Sequence, residues 1–205
     1  MSKVQVDTID TRSGTSTMQI GSTNTSTINI GVSGDTVNIP SGVTIANAGT
    51  ATGFGDANTP SFGVRLSSDQ TVANQTSTKL ALATEDWDTN SAWSTSNYNF
   101  TVPSGKAGKY FFNGHVRILQ IWGHDSTAYF SQVQIRKNDS TVAEQRIYDY
   151  SATTKDLDLQ VSKILDLAVS DVIDFRVYHN GAGQQNQNIA SAVSSTWFVG
   201  CKVIT

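Results

Sequence analysis

Apolar and polar residues alternate along most of this chain, in two different rhythms. In the front part four short units repeat one form: Met18-Gln19-Ile20-Gly21, Ile28-Asn29-Ile30-Gly31, Val37-Asn38-Ile39-Pro40 and Val43-Thr44-Ile45-Ala46. Each reads apolar, polar, apolar, then small or Pro, at spacings of 10, 9 and 6 residues. Period two places both apolar side chains on one face of a strand. Gly, Ser, Asn and Asp between the units supply turns. One unit buries too little surface to fold alone, so the strands must stack on each other or on other chains. A disordered Ser/Thr-rich linker is the alternative; regular pairs of Ile and Val argue against it. The pattern predicts a narrow β-fibre, solenoid or inter-chain β-prism, with an arm over residues 1–12 and a Gly-containing linker over 46–60.

From residue 61 the alternation lengthens. Phe62–Leu66, Thr78–Ala83, Tyr98–Val102, Lys109–Ile121, Tyr129–Arg136, Thr141–Tyr150, Val172–Tyr178 and Thr196–Ile204 read as strands. Leu157, Leu159 and Val161 begin another, with Ile164, Leu165 and Leu167 beyond. Pro103-Ser104-Gly105-Lys106-Ala107-Gly108 and Lys137-Asn138-Asp139-Ser140 read as turns. About eight to ten strands without an amphipathic helix point to a sandwich or jelly roll. The expected fold class is all-β, with domains at 1–12 (arm), 13–60 (repetitive shank and linker) and 61–205 (head).

Composition sharpens this division. Ser and Thr supply 19 of the first 60 residues, and Asp35 is the one charged residue between Ser13 and Gly53. All four Trp, six Tyr and three His follow Phe62. The front part therefore has few large side chains to give to a shared core. Over the 205 residues, 14 Lys plus Arg oppose 17 Asp plus Glu, which argues against a strongly cationic nucleic-acid binder. One cysteine, Cys201, excludes an intrachain disulfide framework. No apolar run approaches the roughly 20 residues of a membrane helix. The start at Met1-Ser2-Lys3-Val4 lacks a signal-peptide pattern, which predicts assembly in a reducing cytoplasm.

Catalytic motifs are sparse. Gly31-Val32-Ser33-Gly34 lacks the second Gly at nucleophile-elbow spacing, and there is no HExxH or CxxC. His115, His124 and His179 have no metal-ligand spacing, and His115 reads as structural within its strand. Asp86-Trp87-Asp88-Thr89-Asn90 opens like a calcium loop, but Ser91 and Asn97 stand where Gly and Glu are required. A simpler cation site on Asp86 and Asp88 competes with an acidic surface loop anchored by Trp87 or Trp93. No enzymatic activity and no cofactor are expected.

Four segments carry a resemblance. Phe100-Thr101-Val102-Pro103 followed by Gly108-Lys109-Tyr110-Phe111-Phe112 resembles a strand pair of the complement-component globular head and tumour necrosis factor family. Val133-Gln134-Ile135-Arg136-Lys137-Asn138 resembles its next strand and turn. Leu165-Asp166-Leu167-Ala168-Val169-Ser170-Asp171-Val172-Ile173 resembles a strand junction of the family, with Ser170 where Gly is usual. Ser195-Thr196-Trp197-Phe198-Val199-Gly200 resembles its closing strand. Glu85–Trp93 looks like an insertion. The resemblance implies a ten-strand jelly roll that trimerises about a three-fold axis. The front repeats resemble phage fibre segments, and pooling Ile and Val among three chains solves the burial problem of a narrow shank.

The family topology sorts loops near residues 120–126, 151–156 and 180–193 to the end away from the shank. There Trp122, His124, Asp125, His179, Gln184, Gln185, Asn186, Gln187 and Asn188 are the receptor-contact candidates, because aromatic faces beside amides suit carbohydrate. Val4, Val6, Ile9 and Arg12 are the candidates for attachment to another virion protein. The expected function is a non-enzymatic phage virion structural protein, a homotrimeric fibre whose head adheres to a host surface glycan through multivalency. Its place is the virion surface, with neither nucleic-acid binding nor membrane insertion. The rivals are a capsid decoration or head-fibre protein and, more remotely, a glycan depolymerase spike.

Overall fold

The computed structural model describes residue 20 and residues 23–24, 26–46, 58–121, 130–148, 155–180 and 186–203. The chain divides into two units, Met1–Ala51 and Thr52–Thr205.

In the first unit the described repeats make no strand ladder. They are punctuated by two turns of one kind. Asp35 N–H donates to the Val32 carbonyl at 3.0 Å, and Val43 N–H donates to the Pro40 carbonyl at 3.2 Å. The third residue of each turn is a glycine with positive φ, Gly34 at 96° and Gly42 at 87°. That is the type II geometry, in which the third position favours Gly. The Asp35 carboxylate also accepts from Val32 N–H at 2.9 Å. The apolar residues between the turns find no cover in this unit. From Ile39 at 44% to Val32 at 78%, all eight described Ile and Val side chains from Ile20 to Ile45 are exposed. The expected strands are unpaired here for a physical reason: a single narrow chain has no neighbour to receive its ladder bonds.

The second unit closes into two antiparallel sheets. Its strands are β1 (Ser61–Arg65), β2 (Gln70–Val72), β3 (Thr78–Lys79), β4 (Thr84–Asp88), β5 (Trp93–Ser94), β6 (Asn99–Thr101), β7 (Gly108–Ile121), β8 (Phe130–Lys137), β9 (Ser140–Tyr148), β10 (Lys155–Leu167), β11 (Val172–Asn180), β12 (Gln187–Ile189) and β13 (Trp197–Lys202). The first sheet runs β2-β12-β7-β13-β1-β4, with β10 also paired to β7. The second runs β5-β6-β11-β8-β9, with β3 also paired to β11. Thirteen strands are found among the described residues, of which β2, β3, β5, β6 and β12 are fragments of two or three residues. The segment read as an insertion supplies β4 and β5, at one end of each sheet path.

Period-two alternation sets what faces inward. On β7, Tyr110, Phe112, Val116 and Ile118 are buried, as are Ile173, Phe175 and Val177 on β11. Rings fill the gap between the sheets: Phe175 stacks on Phe198 at 4.9 Å and Phe198 on Phe112 at 5.8 Å, with Phe62 against Trp93 at 5.0 Å. Burying each ring is worth about 1.5–3 kcal/mol. The space comes from an inward glycine: a Cβ on Gly114 would stand 2.5 Å from the Phe175 ring. The Trp93 indole N–H is satisfied by the Leu82 carbonyl at 3.0 Å. Burial pushes the Tyr110 hydroxyl up to about 12, and it donates to the Lys106 carbonyl at 2.6 Å.

Two turns explain their residue choice. Asn138 and Asp139, at φ 47° and 64°, join β8 to β9 in the type I′ geometry favoured in two-residue hairpins. Ser170 has φ 69°, which is why Gly is the easier residue there. Asp171 ties the two turns together. Its carboxylate accepts from Asn138 Nδ2 at 2.7 Å, Lys137 Nζ at 2.7 Å and Ala168 N–H at 2.8 Å, and these bonds, Lys137 first, hold it below the usual carboxylate range.

Candidate functional site

Register gives the sandwich two distinct ends. Ser61 sits opposite Cys201, which sits opposite Phe111 near the start of β7. The chain thus enters the sandwich at the end where β7 begins. At the other end Ile121 pairs with Lys155 in the first sheet, and Phe130 pairs with both Asn180 and Tyr148 in the second. The segments 122–129, 149–154 and 181–185 depart from these strand ends.

The outer face of the first sheet is apolar near the chain-entering end. One row across the strands is Ile164, Phe111, Cys201 and Ser61; the next is Ser162, Asn113, Val199, Gly63 and Trp87. Trp87 is 48% exposed and Ile164 57%. The Trp87 indole lies over Gly63, where a Cβ would come within 2.3 Å of the ring. Asn58, Ser61, Trp87, Phe111, Val199, Gly200 and Cys201 line a shallow depression of about 380 Å³. Farther along the face the residues turn polar. His115 stacks on Trp197 at 5.8 Å, with Nδ1 2.7 Å from the Ser195 carbonyl and Nε2 3.4 Å from Asp158. Arg117 clasps Asp158 with two bonds, at 2.9 and 3.2 Å, and this raises the guanidinium above its ordinary value.

The outer face of the second sheet differs. At the loop end, register sets Asn180, Phe130 and Tyr148 in one row and Tyr178, Gln132 and Arg146 in the next. Phe130 stacks on Tyr178 at 5.4 Å, and Tyr148 tilts against Phe130 at 5.7 Å. The Arg146 guanidinium lies 4.2 Å from the centre of the Phe130 ring, a cation–π distance. It donates to Gln132 Oε1 at 3.2 Å and stands 3.7 Å from Glu144, while Gln132 Nε2 donates to Glu144. A hydrogen bond with Tyr148 is the first cause that raises Arg146 above its ordinary value.

The structure places the sequence-derived candidates unevenly. Trp122, His124, Asp125, Gln184 and Gln185 lie outside the described residues, as do Val4, Val6, Ile9 and Arg12. Asn186 and Asn188 are exposed, and Asn188 Oδ1 accepts from the Thr71 hydroxyl at 2.8 Å. His179 and Gln187 are corrected. His179 is 2% exposed because it continues the inward series Phe175, Val177, His179 on β11; Gln187 is buried on β12. Both side chains are buried rather than exposed at the surface. Burial holds His179 below the ordinary histidine value; Nε2 lies 3.3 Å from the Val72 carbonyl and Nδ1 has no hydrogen-bond partner among the described residues. Asp86 pairs with Arg65 at 2.9 Å, and Asp88 accepts from Trp93 N–H at 2.8 Å and Asn90 N–H at 3.1 Å. Those carboxylates anchor the β4–β5 segment, and no cluster of three metal-ligating side chains occurs among the described residues. The Phe130, Tyr148, Tyr178 and Arg146 cluster is not apparent in the sequence. Each residue occupies an outward strand position, but cross-strand register, which the sequence does not display, brings them together.

The sandwich matches a solved structure, the globular domain of zebrafish complement 1qA protein, at a TM-score of 0.50 and 16% identity. The match covers 70% of this chain and 97% of that one. The second unit shares the fold of a complement C1q globular domain, a tumour-necrosis-factor-like jelly roll. At that identity the likeness concerns fold alone. No protein-family model matches the chain, and no curated protein matches it.

Proposed function

We propose that the chain is a non-enzymatic phage virion structural protein, a homotrimeric fibre whose C1q-like head adheres to a host surface glycan. One observation supports this reading above the others: among the described residues, each unit exposes apolar surface that it does not itself cover. The first unit exposes its Ile and Val pairs, and the second exposes Trp87, Phe111 and Ile164 on one sheet face. Contiguous apolar surface of this kind marks an interaction site. A second and third copy of the chain cover both surfaces at once, because closed symmetry repeats each patch. The front repeats resemble phage fibre units, and an arm preceding them attaches the fibre to another virion protein.

Sedimentation of the full chain should give the mass of three copies. The double variant Trp87→Ser, Phe111→Ser should shift the protein towards monomer while the sandwich stays folded. A full trimer in that variant removes the apolar face from the account. Fluorescently labelled protein should bind host cells saturably; absence of binding on cells that the virus infects turns the reading to capsid decoration.

A further inference from the structure

We infer that the loop end of the second sheet, at Phe130, Tyr148, Tyr178 and Arg146, is a binding site for an uncharged pyranose. This rests on the adhesive reading and names its site and ligand class. Three rings from three neighbouring strands gather beside a guanidinium: Phe130 stacks on Tyr178 and lies under Arg146, which leaves Tyr148 as the most exposed ring of the group. Tyr148 is 44% exposed, and Phe130 and Tyr178 are partly so. Aromatic faces carry negative charge density and attract the C–H faces of a sugar ring. Arg146 and the Tyr148 and Tyr178 hydroxyls bring donors and acceptors for ring hydroxyls, while the nearby Asn180 Oδ1 is already held by Gln75 Nε2 at 3.1 Å. A few polar groups around an apolar platform are the composition of a small-ligand site.

Charge selects the class of sugar. Arg146 is matched by Glu144 at 3.7 Å and is drawn over the Phe130 ring, so among the described residues it leaves no unmatched positive charge for a sialic or uronic acid. Its neighbours are set before any ligand arrives. Gln132 is buried and bridges Arg146 to Glu144, so little side-chain freedom is lost on binding. The first sheet's outer face differs: among the described residues Trp87, Phe111 and Ile164 take part in no cation–π contact. The two surfaces therefore suit different occupants, copies of the chain on one and a glycan on the other.

The test uses full-length protein on immobilised neutral hexose and hexosamine oligosaccharides, with sialylated and uronic-acid oligosaccharides alongside. Host cells are compared intact, after periodate and after protease. Saturable binding to neutral oligosaccharides and loss of cell binding after periodate are expected. Tyr148→Ala and Tyr178→Ala should each weaken binding about tenfold, as truncation of an aromatic anchor does. Their melting temperatures and trimer mass should stay close to the parent's. Arg146→Gln should weaken binding less, without creating preference for acidic sugars. Wild-type affinity in both Tyr variants overturns this site and leaves the adhesive reading standing. Binding confined to acidic sugars, or abolished by protease and not by periodate, overturns the ligand class. No binding by the parent protein to any surface overturns both.

Discussion

The two units begin from the same alternation of apolar and polar residues and end in opposite states. In the second, inward residues such as Phe112, Val116 and Phe175 are sealed by a facing sheet. In the first, Ile28, Ile30, Val37 and Ile39 keep the spacing but remain exposed. The difference lies in side-chain supply and partner strands. The second unit has rings to span the gap between sheets and enough strands to pair; the first has short pairs of β-branched residues separated by glycine turns. Alternation specifies a strand face, but a second surface must be present to bury it.

That contrast predicts unequal responses to truncation. The largest effect belongs to the closed core: Phe198→Ala removes the ring between Phe112 and Phe175 and should cost about 3–5 kcal/mol, read as a lower denaturant midpoint of the second unit. Ile30→Ser and Val37→Ser should leave that midpoint unchanged and act on assembly instead. Their trimer is expected to dissociate at higher concentration than the parent, in a dilution series followed by light scattering. If these variants lower the midpoint of the second unit itself, the two units are not energetically separate. The smallest effect falls where closure is imperfect. His179 is buried, finds no partner for Nδ1 among the described residues, and is held below its ordinary value of 6.5. The unfolded chain therefore takes up this proton first as pH falls, and stability declines below about pH 6.5. His179→Gln should flatten that slope in urea titrations on either side of the window.

Much of the second unit was legible because period two is a local signal. The long strands read as Lys109–Ile121 and Tyr129–Arg136 appear as Gly108–Ile121 and Phe130–Lys137, and the Asn138-Asp139 turn stands where its residues place it. The strand that Leu157, Leu159 and Val161 begin runs on through Ile164 and Leu165 to Leu167. Glu85–Trp93 was opaque because acidic residues favour a loop reading, whereas Asp88 there caps the turn that leads into β5. His179 illustrates a misread signal. Its residue type suggested surface chemistry, while its position two beyond Val177 already marked it as inward. The Phe130 cluster was illegible for a different reason: its rings, Phe130, Tyr148 and Tyr178, follow one another at 18 and 30 residues, and only pairing makes them neighbours.

The place of β1 has a mechanical consequence. It receives the chain at Ser61 and lies between β13 and β4, antiparallel to both. Tension arriving through the preceding chain pulls β1 along its own length. Its bonds to the two neighbours run across that direction and bear the load together. They must fail in shear as a group, whereas a strand peeled from a sheet edge gives up its bonds one pair at a time. A head held at its loop end and tugged from Ser61 is gripped along its strongest axis.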